Sequence, residues 1–269
     1  MKCLLIDGDI IAYKACASTT KTILWEEQVC TKVCNLPEAE KSFDTRIETI
    51  KDAVAFDSEK GDVCYVFTSC LSFKGFRRAI FPDYKSNRKE IDTPPSLKFL
   101  RELHIKYLDG HVEMPNIEAD DLIGIYATDP WFLKTYDDVI VVSEDKDLKT
   151  IPCKLLSFNS DDDDEEDSLS ASIDVITEQE ANYNWMSQTL SGDTADNYGG
   201  CPRYGLKTAH KLLDATDGSV EEMWKAVVEA YRKAGLSEDY ALTMARLARI
   251  LRYGEYSFKT HEVNLWKML

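Results

Sequence analysis

The 269-residue chain has no stretch of the roughly 18 consecutive apolar residues that a membrane-spanning helix requires. Its opening, Met1-Lys2-Cys3-Leu4-Leu5-Ile6-Asp7, breaks off too soon for a signal peptide. No membrane role and an intracellular location are therefore expected. Histidine is scarce, at four residues, and the eight cysteines include no Cys-x-x-Cys pair. That spacing excludes the common zinc modules, and the cysteines read as reduced thiols. No His-Ser-Asp arrangement offers a nucleophilic triad, and no fixed-period repeat is visible. Positive charge is also in deficit: 32 Lys/Arg against 48 Asp/Glu leave a net charge of −16.

That deficit is local. The run Asp161-Asp-Asp-Asp-Glu-Glu-Asp167 reads as a solvated surface loop, because blocks of like charge repel and stay in water. Nearly all of the remaining excess lies in carboxylates that recur in one kind of place. Asp7 ends an apolar run. Glu118, Asp120 and Asp121 stand in Ile117-Glu-Ala-Asp-Asp-Leu122. Asp145 and Asp147 follow Val139-Ile-Val-Val142, and Asp193 and Asp196 lie in Ser191-Gly-Asp-Thr-Ala-Asp196. The ends of strands and the starts of helices are where an open α/β sheet gathers functional side chains. One or two acids in a helix's first turn need no account beyond the helix dipole, but three in four residues exceed it. Acids brought together there repel unless cations neutralise them, and hard oxygen ligands suit Mg²⁺ or Mn²⁺. The chemistry this implies is phosphodiester hydrolysis.

Short β-branched runs at 2–6, 63–67, 139–142 and 154–158 read as buried strands. Helical patterns fall between them, at about 10–17, 45–57, 95–103 and 119–127, and alternation of this kind implies a mainly parallel sheet. Beyond residue 172 the pattern becomes helical, at about 178–190, 206–213, 220–234 and 240–253. The segment 68–93 reads as a long basic loop. From Lys74 to Lys106 nine Lys/Arg face four acids, reversing the overall balance. Arg77, Arg78, Lys85, Arg88 and Lys89 interleave there with Phe81 and Tyr84, cations for phosphates and rings for bases. A solvated loop with Phe81 and Tyr84 tucked into the core is the plainer alternative. Gly199-Gly-Cys-Pro-Arg-Tyr-Gly205-Leu-Lys207 leads into a helix and resembles a helix-hairpin-helix, in which backbone N–H groups reach a phosphate.

In order, the chain presents Leu-Ile-Asp-Gly, Phe-Arg-Arg with Tyr-Lys-Ser-Asn-Arg, Glu-Ala-Asp-Asp, Asp-Lys-Asp, and Gly-Asp-Thr-Ala-Asp-Asn before the glycine hairpin. This order resembles the 5′-nuclease, flap endonuclease-like superfamily over about residues 2–215. Thr150-Ile-Pro152, Met244-Ala-Arg-Leu-Ala-Arg-Ile-Leu251 and Val263-Asn-Leu-Trp266 are similar to the 5′→3′ exonucleases of short-tailed phages. The resemblance implies a PIN-like α/β core, residues 1–172 with a basic arch at 68–93. A helical helix-hairpin-helix (helix-three-turn-helix) subdomain, 173–269, would bind duplex. It implies two Mg²⁺ or Mn²⁺ ions. Asp7, Glu118, Asp120 and Asp145 would serve the first, with Asp121 adjacent, and Asp147, Asp193 and Asp196 the second. Lys85 and Arg88 would draw in the scissile phosphate. Gly200, Gly205 and Lys207 would grip duplex backbone, often with a K⁺ ion. The expected partners are DNA duplexes with 5′ ends, flaps and RNA–DNA hybrids, met by a monomer during phage replication in the host cytoplasm. One departure is visible: where the family usually has another Asp, in Phe67-Thr68-Ser69-Cys70, this chain has Ser69. A PIN-type ribonuclease and a non-catalytic nucleic-acid binder are the rival readings.

Overall fold

The computed structural model describes residues 1–26, 29–70, 75–88, 93–159 and 170–268. The acidic run 161–167, Lys74 and Lys89 lie outside the described residues. The apolar run after Met1 forms β1 (Lys2–Asp7), and its residues from Cys3 onward are buried. A strand buried on both faces needs neighbours on both edges and helices above and below. Both conditions hold. β1 pairs in parallel with β4 (Val63–Phe67) on one side and β6 (Asp138–Val142) on the other. Beyond β4 lies the short β5 (His111–Val112), and beyond β6 lie β7 (Cys153–Asn159) and β8 (Ser170–Ile176). The order β5-β4-β1-β6-β7-β8 is parallel except at β8, which runs antiparallel to β7. The chain leaves β1 towards β4 and later returns to β6 on its other edge. The crevice of such a sheet opens at the carboxyl ends of those strands.

Alternation along β1 divides the core. Leu4 and Ile6 face α1 (Gly8–Ser18), α2 (Leu36–Ala53) and α4 (Leu97–Leu103). Cys3 and Leu5 face α5 (Ala119–Ala127) and the segment holding Ile250 and Leu251. A third core joins α7 (Glu178–Ser191), α8 (Leu206–Leu213), α9 (Val220–Lys233) and α10 (Glu238–Ala248) around Trp185, Tyr231 and Met244. Trp266 returns to this core edge-on to Trp185, 4.7 Å between centroids. The fold is the expected PIN-like α/β sheet with a helical carboxyl region.

Several expectations need correction. β2 (Thr20–Glu26) and β3 (Val29–Cys34) pair antiparallel as a separate two-stranded sheet, which the strand reading missed. The expected helix at about 45–57 begins nine residues earlier, with Pro37 in its first turn, where a missing N–H costs nothing. The 68–93 segment is more than a loop: it contains α3 (Gly75–Ile80), and Phe76 and Tyr84 are buried. The helix expected to reach Tyr253 stops at Ala248. There the chain turns to lie against α5, and the Leu251 N–H donates to Asp121 Oδ1 at 3.1 Å. β8 continues the sheet to Ile176, past residue 172.

α5 and this carboxyl segment meet backbone to backbone. A Cβ on Gly124 would lie 2.3 Å from the Leu251 carbonyl oxygen and 2.6 Å from Ile250 Cγ2. Gly124→Ala is therefore expected to destabilise the fold by about 1–3 kcal/mol, the usual cost of overpacking. A urea midpoint equal to the parent's would show that the segment gives way freely.

Candidate active site

The site is assembled where β1, β6 and the start of α5 converge. Asp7 is the N-cap of α1; its carboxylate accepts from the Ile10 N–H at 3.2 Å and from Ser143 Oγ at 2.8 Å. Ser143 follows β6, and its hydroxyl also accepts from the Asp145 N–H at 3.0 Å. Asp145 Oδ1 in turn accepts from the Asp147 N–H at 2.8 Å and opens a 3-10 turn over Lys146–Thr150. Capping thus holds these strand-end acids in place. On the far side, Asp193 Oδ1 accepts from the N–H groups of Ala195 and Asp196, and a bridge to Tyr198 closes the turn. Asp193 and Asp196 share this capped turn; they do not lie on a helix face.

Glu118, Asp120, Asp145, Asp147, Asp193 and Asp196 line one cavity of about 110 Å³ together with Lys85, Arg88 and Lys146. The carboxylates pay electrostatically for that closeness. Burial, then Asp9 and Asp145, push Asp7 up to about 7. Burial, then Asp7 and Asp145, push Asp120 well above the ordinary range. Burial and Asp145 raise Asp147 to about 6. Glu118 moves the other way: burial would raise it, but Lys85 and Arg77 outweigh that and hold it at about 2. The cations are the protein's own. Lys85 Nζ lies 2.6 Å from Glu118 Oε1, Arg88 Nη2 is 2.7 Å from Asp196 Oδ1, and Lys146 Nζ is 3.1 Å from Asp193 Oδ2. No three side chains of metal-ligand type stand at closed ligand spacing among the described residues. In donor chemistry the set still suits a hard divalent cation, which would relieve the repulsion that raises Asp7, Asp120 and Asp147.

Three expected site residues do other work. Asp121 is fully buried. Its two oxygens receive Arg77 Nη1 and Nη2, both at 2.7 Å, with the N–H groups of Glu118 and Leu251 at 3.1 Å. Four donors fill a carboxylate's acceptor sites, so Asp121 has no lone pair to give a metal. Arg77 was expected to contact nucleic acid but is buried against those acids. Tyr84, also expected to meet nucleic acid, is buried; its hydroxyl lies 3.0 Å from Glu118 Oε2 and 2.9 Å from Asp196 Oδ2. Of the plainer alternative, a solvated loop with Phe81 and Tyr84 in the core, Tyr84 is buried and Phe81 half-buried. Arg78, Gly205 and Lys207 are exposed, whereas Gly200 is buried with a Cβ position only 2.3 Å from the Gly192 nitrogen. Gly200 therefore forms the tight turn, while Gly205 opens α8 with no capping side chain. Ser69 donates its N–H to Asp9 Oδ2 and accepts from the Ala119 N–H, which fixes the start of α5. Lys146 and Ser143 were missed by sequence reasoning; Lys146 stood in plain view between Asp145 and Asp147.

Residues 2–171 match the model of the 5′-3′ exonuclease N-terminal resolvase-like domain. The chain belongs to this 5′-3′ exonuclease family. It is 27 % identical to the exonuclease of Escherichia phage T7 over 295 aligned positions, covering 98 % of this chain and 93 % of that one. It is 26 % identical to the exodeoxyribonuclease of Enterobacteria phage T3, at 98 % and 92 % coverage. Among solved structures, its fold is similar to the bacteriophage T5 flap endonuclease in complex with DNA and metal ions. That match has a TM-score of 0.60 and 15 % identity, over 92 % of this chain and 89 % of that one. The T5 5′-exonuclease with bound zinc gives a TM-score of 0.62 at 14 % identity, with the same coverage. Among the described residues, no helix is long and apolar enough to cross a membrane.

The crowding of acids in this exonuclease has a measurable consequence for stability. Asp7 titrates near 7 when folded, against an ordinary value of 3.8. The folded state therefore binds more protons than the unfolded one between about pH 4 and 7 and loses stability as the pH rises through that window. Asp7→Asn keeps the cap and removes the charge. In EDTA its urea stability is expected to gain on the parent's between pH 5 and 8, by up to about 1.4 kcal/mol per pH unit for each excess proton. A difference that stays flat with pH would refute the crowding.

Proposed function

We propose that this 5′→3′ exonuclease hydrolyses phosphodiester bonds at the 5′ ends of duplex DNA and RNA–DNA hybrids, with Mg²⁺ or Mn²⁺ as cofactor, and cuts flaps by the same chemistry. The observation that carries the reading is the one cavity that brings six acids and four basic side chains, Arg77, Lys85, Arg88 and Lys146, together at the carboxyl ends of a parallel sheet. Asp7, Glu118, Asp120 and Asp145 are the ligands on the β1 side, and Asp147, Asp193 and Asp196 those on the helical side. When bound, divalent ions there supply an activated water at neutral pH and offset the charge of the phosphate.

The chain's own part is to hold and neutralise. Lys85 and Arg88 sit at the rim as cations for the phosphate, and Lys85 is kept charged: burial opposes this, but Glu118 and Asp196 prevail. Fixed cations at the point where negative charge develops stabilise the transition state. Duplex on either side of the cleaved bond is held by its backbone. The uncapped, exposed start of α8 at Gly205, with Lys207 beside it, suits a phosphate at a helix N-terminus. A K⁺ ion would be a natural companion at that turn. Arg78, exposed on α3, adds positive charge near the cavity. Residues beyond β8 form the duplex-binding part. The reading places the protein, as a monomer, at primer removal and 5′-end resection in phage replication.

Asp145→Asn is expected to lower Mg²⁺-dependent nucleotide release from 5′-labelled duplex by at least about 100-fold, the scale of losing one electrostatic group of a preorganised site. Turnover within a few-fold of the parent's would sink the assignment. Run in parallel on single-stranded RNA, the assay would expose a ribonuclease, and binding of 5′ ends without cleavage in Mg²⁺ or Mn²⁺ would expose a non-catalytic binder.

A further inference from the structure

We propose that Arg77 is a positioning residue for this site: its guanidinium fixes where the Glu118 carboxylate stands, and the same bonds seat the wall of the cavity opposite. The inference rests on the metal-site reading above. Arg77 carries five N–H bonds, and five contacts take them up. Nε donates to the Leu247 carbonyl at 3.1 Å. Nη1 donates to Asp121 Oδ2 at 2.7 Å and to Glu118 Oε2 at 3.2 Å. Nη2 donates to Asp121 Oδ1 and to the Arg249 carbonyl, both at 2.7 Å.

The geometry reaches Glu118 by two routes. Directly, Arg77 holds Oε2, which Tyr84 also approaches at 3.0 Å, so that Oε1 is the oxygen left beside Lys85. Indirectly, Arg77 pins Asp121, and Asp121 Oδ2 accepts the Glu118 N–H, the reciprocal bond of a capping box. Both the backbone and the side chain of Glu118 therefore take their position from one planar cation. The guanidinium carbon also lies over the Phe76 ring, 4.7 Å from its centre. Its remaining bonds run to the end of α10 and beyond, where Leu247, Ala248 and Ile250 line the same cavity. The carboxylates at the start of α5 and the helical wall are thus spaced by a single side chain. It is 4 % exposed, and with its N–H bonds taken up by protein acceptors it has none left for a phosphate.

Arg77→Lys keeps the charge but replaces a five-donor fork with one ammonium. Calorimetric titration with Mn²⁺ is expected to show affinity weakened by about 10-fold or more, the range seen when a partner of a metal ligand is lost. The kcat should fall with it, while the KM for duplex and the affinity for duplex in EDTA stay within about twofold. Asp121→Asn, which leaves the fork but removes its bidentate acceptor charge, should move Mn²⁺ affinity in the same direction and guards against a Lys variant that fails to fold. Weaker duplex binding with unchanged Mn²⁺ affinity would make Arg77 a phosphate contact and overturn the proposal. A lower urea midpoint with Mn²⁺ affinity and kcat both intact would make it only a structural prop and overturn it equally. If the parent binds Mn²⁺ but cleaves nothing, the activity reading fails while the affinity comparison still decides the role of Arg77; if the parent binds no Mn²⁺, both fall.

Discussion

The fold is arranged around a constraint it cannot avoid: acids that repel one another are held together at the mouth of a parallel sheet. Three of them are fixed by a device that costs no charge. Asp7 caps α1, Asp145 caps the turn after β6, and Asp193 caps its own loop. Capping a helix or turn with a carboxylate is stabilising in its own right. The local structure therefore gains something from residues whose mutual repulsion works against folding. The remaining repulsion appears as raised proton affinity at Asp7, Asp120 and Asp147 and as three basic side chains leaning in. Lys85, Arg88 and Lys146 are counter-ions to the same carboxylates that would hold a divalent cation, so ion uptake and release of these side chains towards a phosphate are coupled by charge balance.

The basic segment and the Asp193–Tyr198 turn behave as one unit. The Lys85 N–H donates to the Asp196 carbonyl at 2.9 Å, and Asn197 Nδ2 donates to the Asp83 carbonyl and to Ser86 Oγ at 2.9 Å. Asn87 Nδ2 reaches the Thr194 carbonyl at 3.0 Å, and the Tyr84 ring stacks on Tyr198. Lys85 itself lies at φ +54°, a left-handed conformation that a side chain adopts only when its surroundings enforce it. Here the bond to Asp196 does so. The cation proposed to meet the phosphate and the acids proposed to hold the second ion are consequently built on one rigid piece, as precise positioning requires.

Much of this was legible in the sequence, for identifiable reasons. Strands 2–6 and 63–67 announced themselves by their unbroken apolar runs, and the acids at 7, 118–121 and 145–147 stood just beyond such a run or at a helix start, whereas Asp193 and Asp196 fall in a turn after α7. Arg77, Tyr84 and Asp121 were misread for one shared reason. Residue type and charge signal a function equally well whether the side chain faces solvent or another charge, and the partners of Arg77 lie 41 to 172 residues away along the chain. The β2–β3 pair escaped because Thr20-Lys-Thr-Ile-Leu-Trp25 alternates poorly with burial; its apolar Leu24 and Trp25 are exposed, at 76 % and 66 %.

Ser69 ties the chain just past β4 to the start of α5 without a carboxylate. At the end of β4 its hydroxyl accepts the Ala119 N–H at 2.9 Å, so α5 still starts where Glu118 and Asp120 require it. Its N–H holds Asp9 at 2.9 Å, and Arg101 closes the group by pairing with Asp9 at 3.4 Å and bonding the Ser69 carbonyl. An acid at position 69 would have entered a neighbourhood that already contains Asp9 and Glu113 against one guanidinium. Serine fixes the start of α5 and adds no charge to that neighbourhood. Hold on a hard cation scales with the number of charged oxygens around it. On the proposed reading the hold on the β1 side falls to Asp7, Glu118, Asp120 and Asp145, and with it the importance of whatever keeps Glu118 in place.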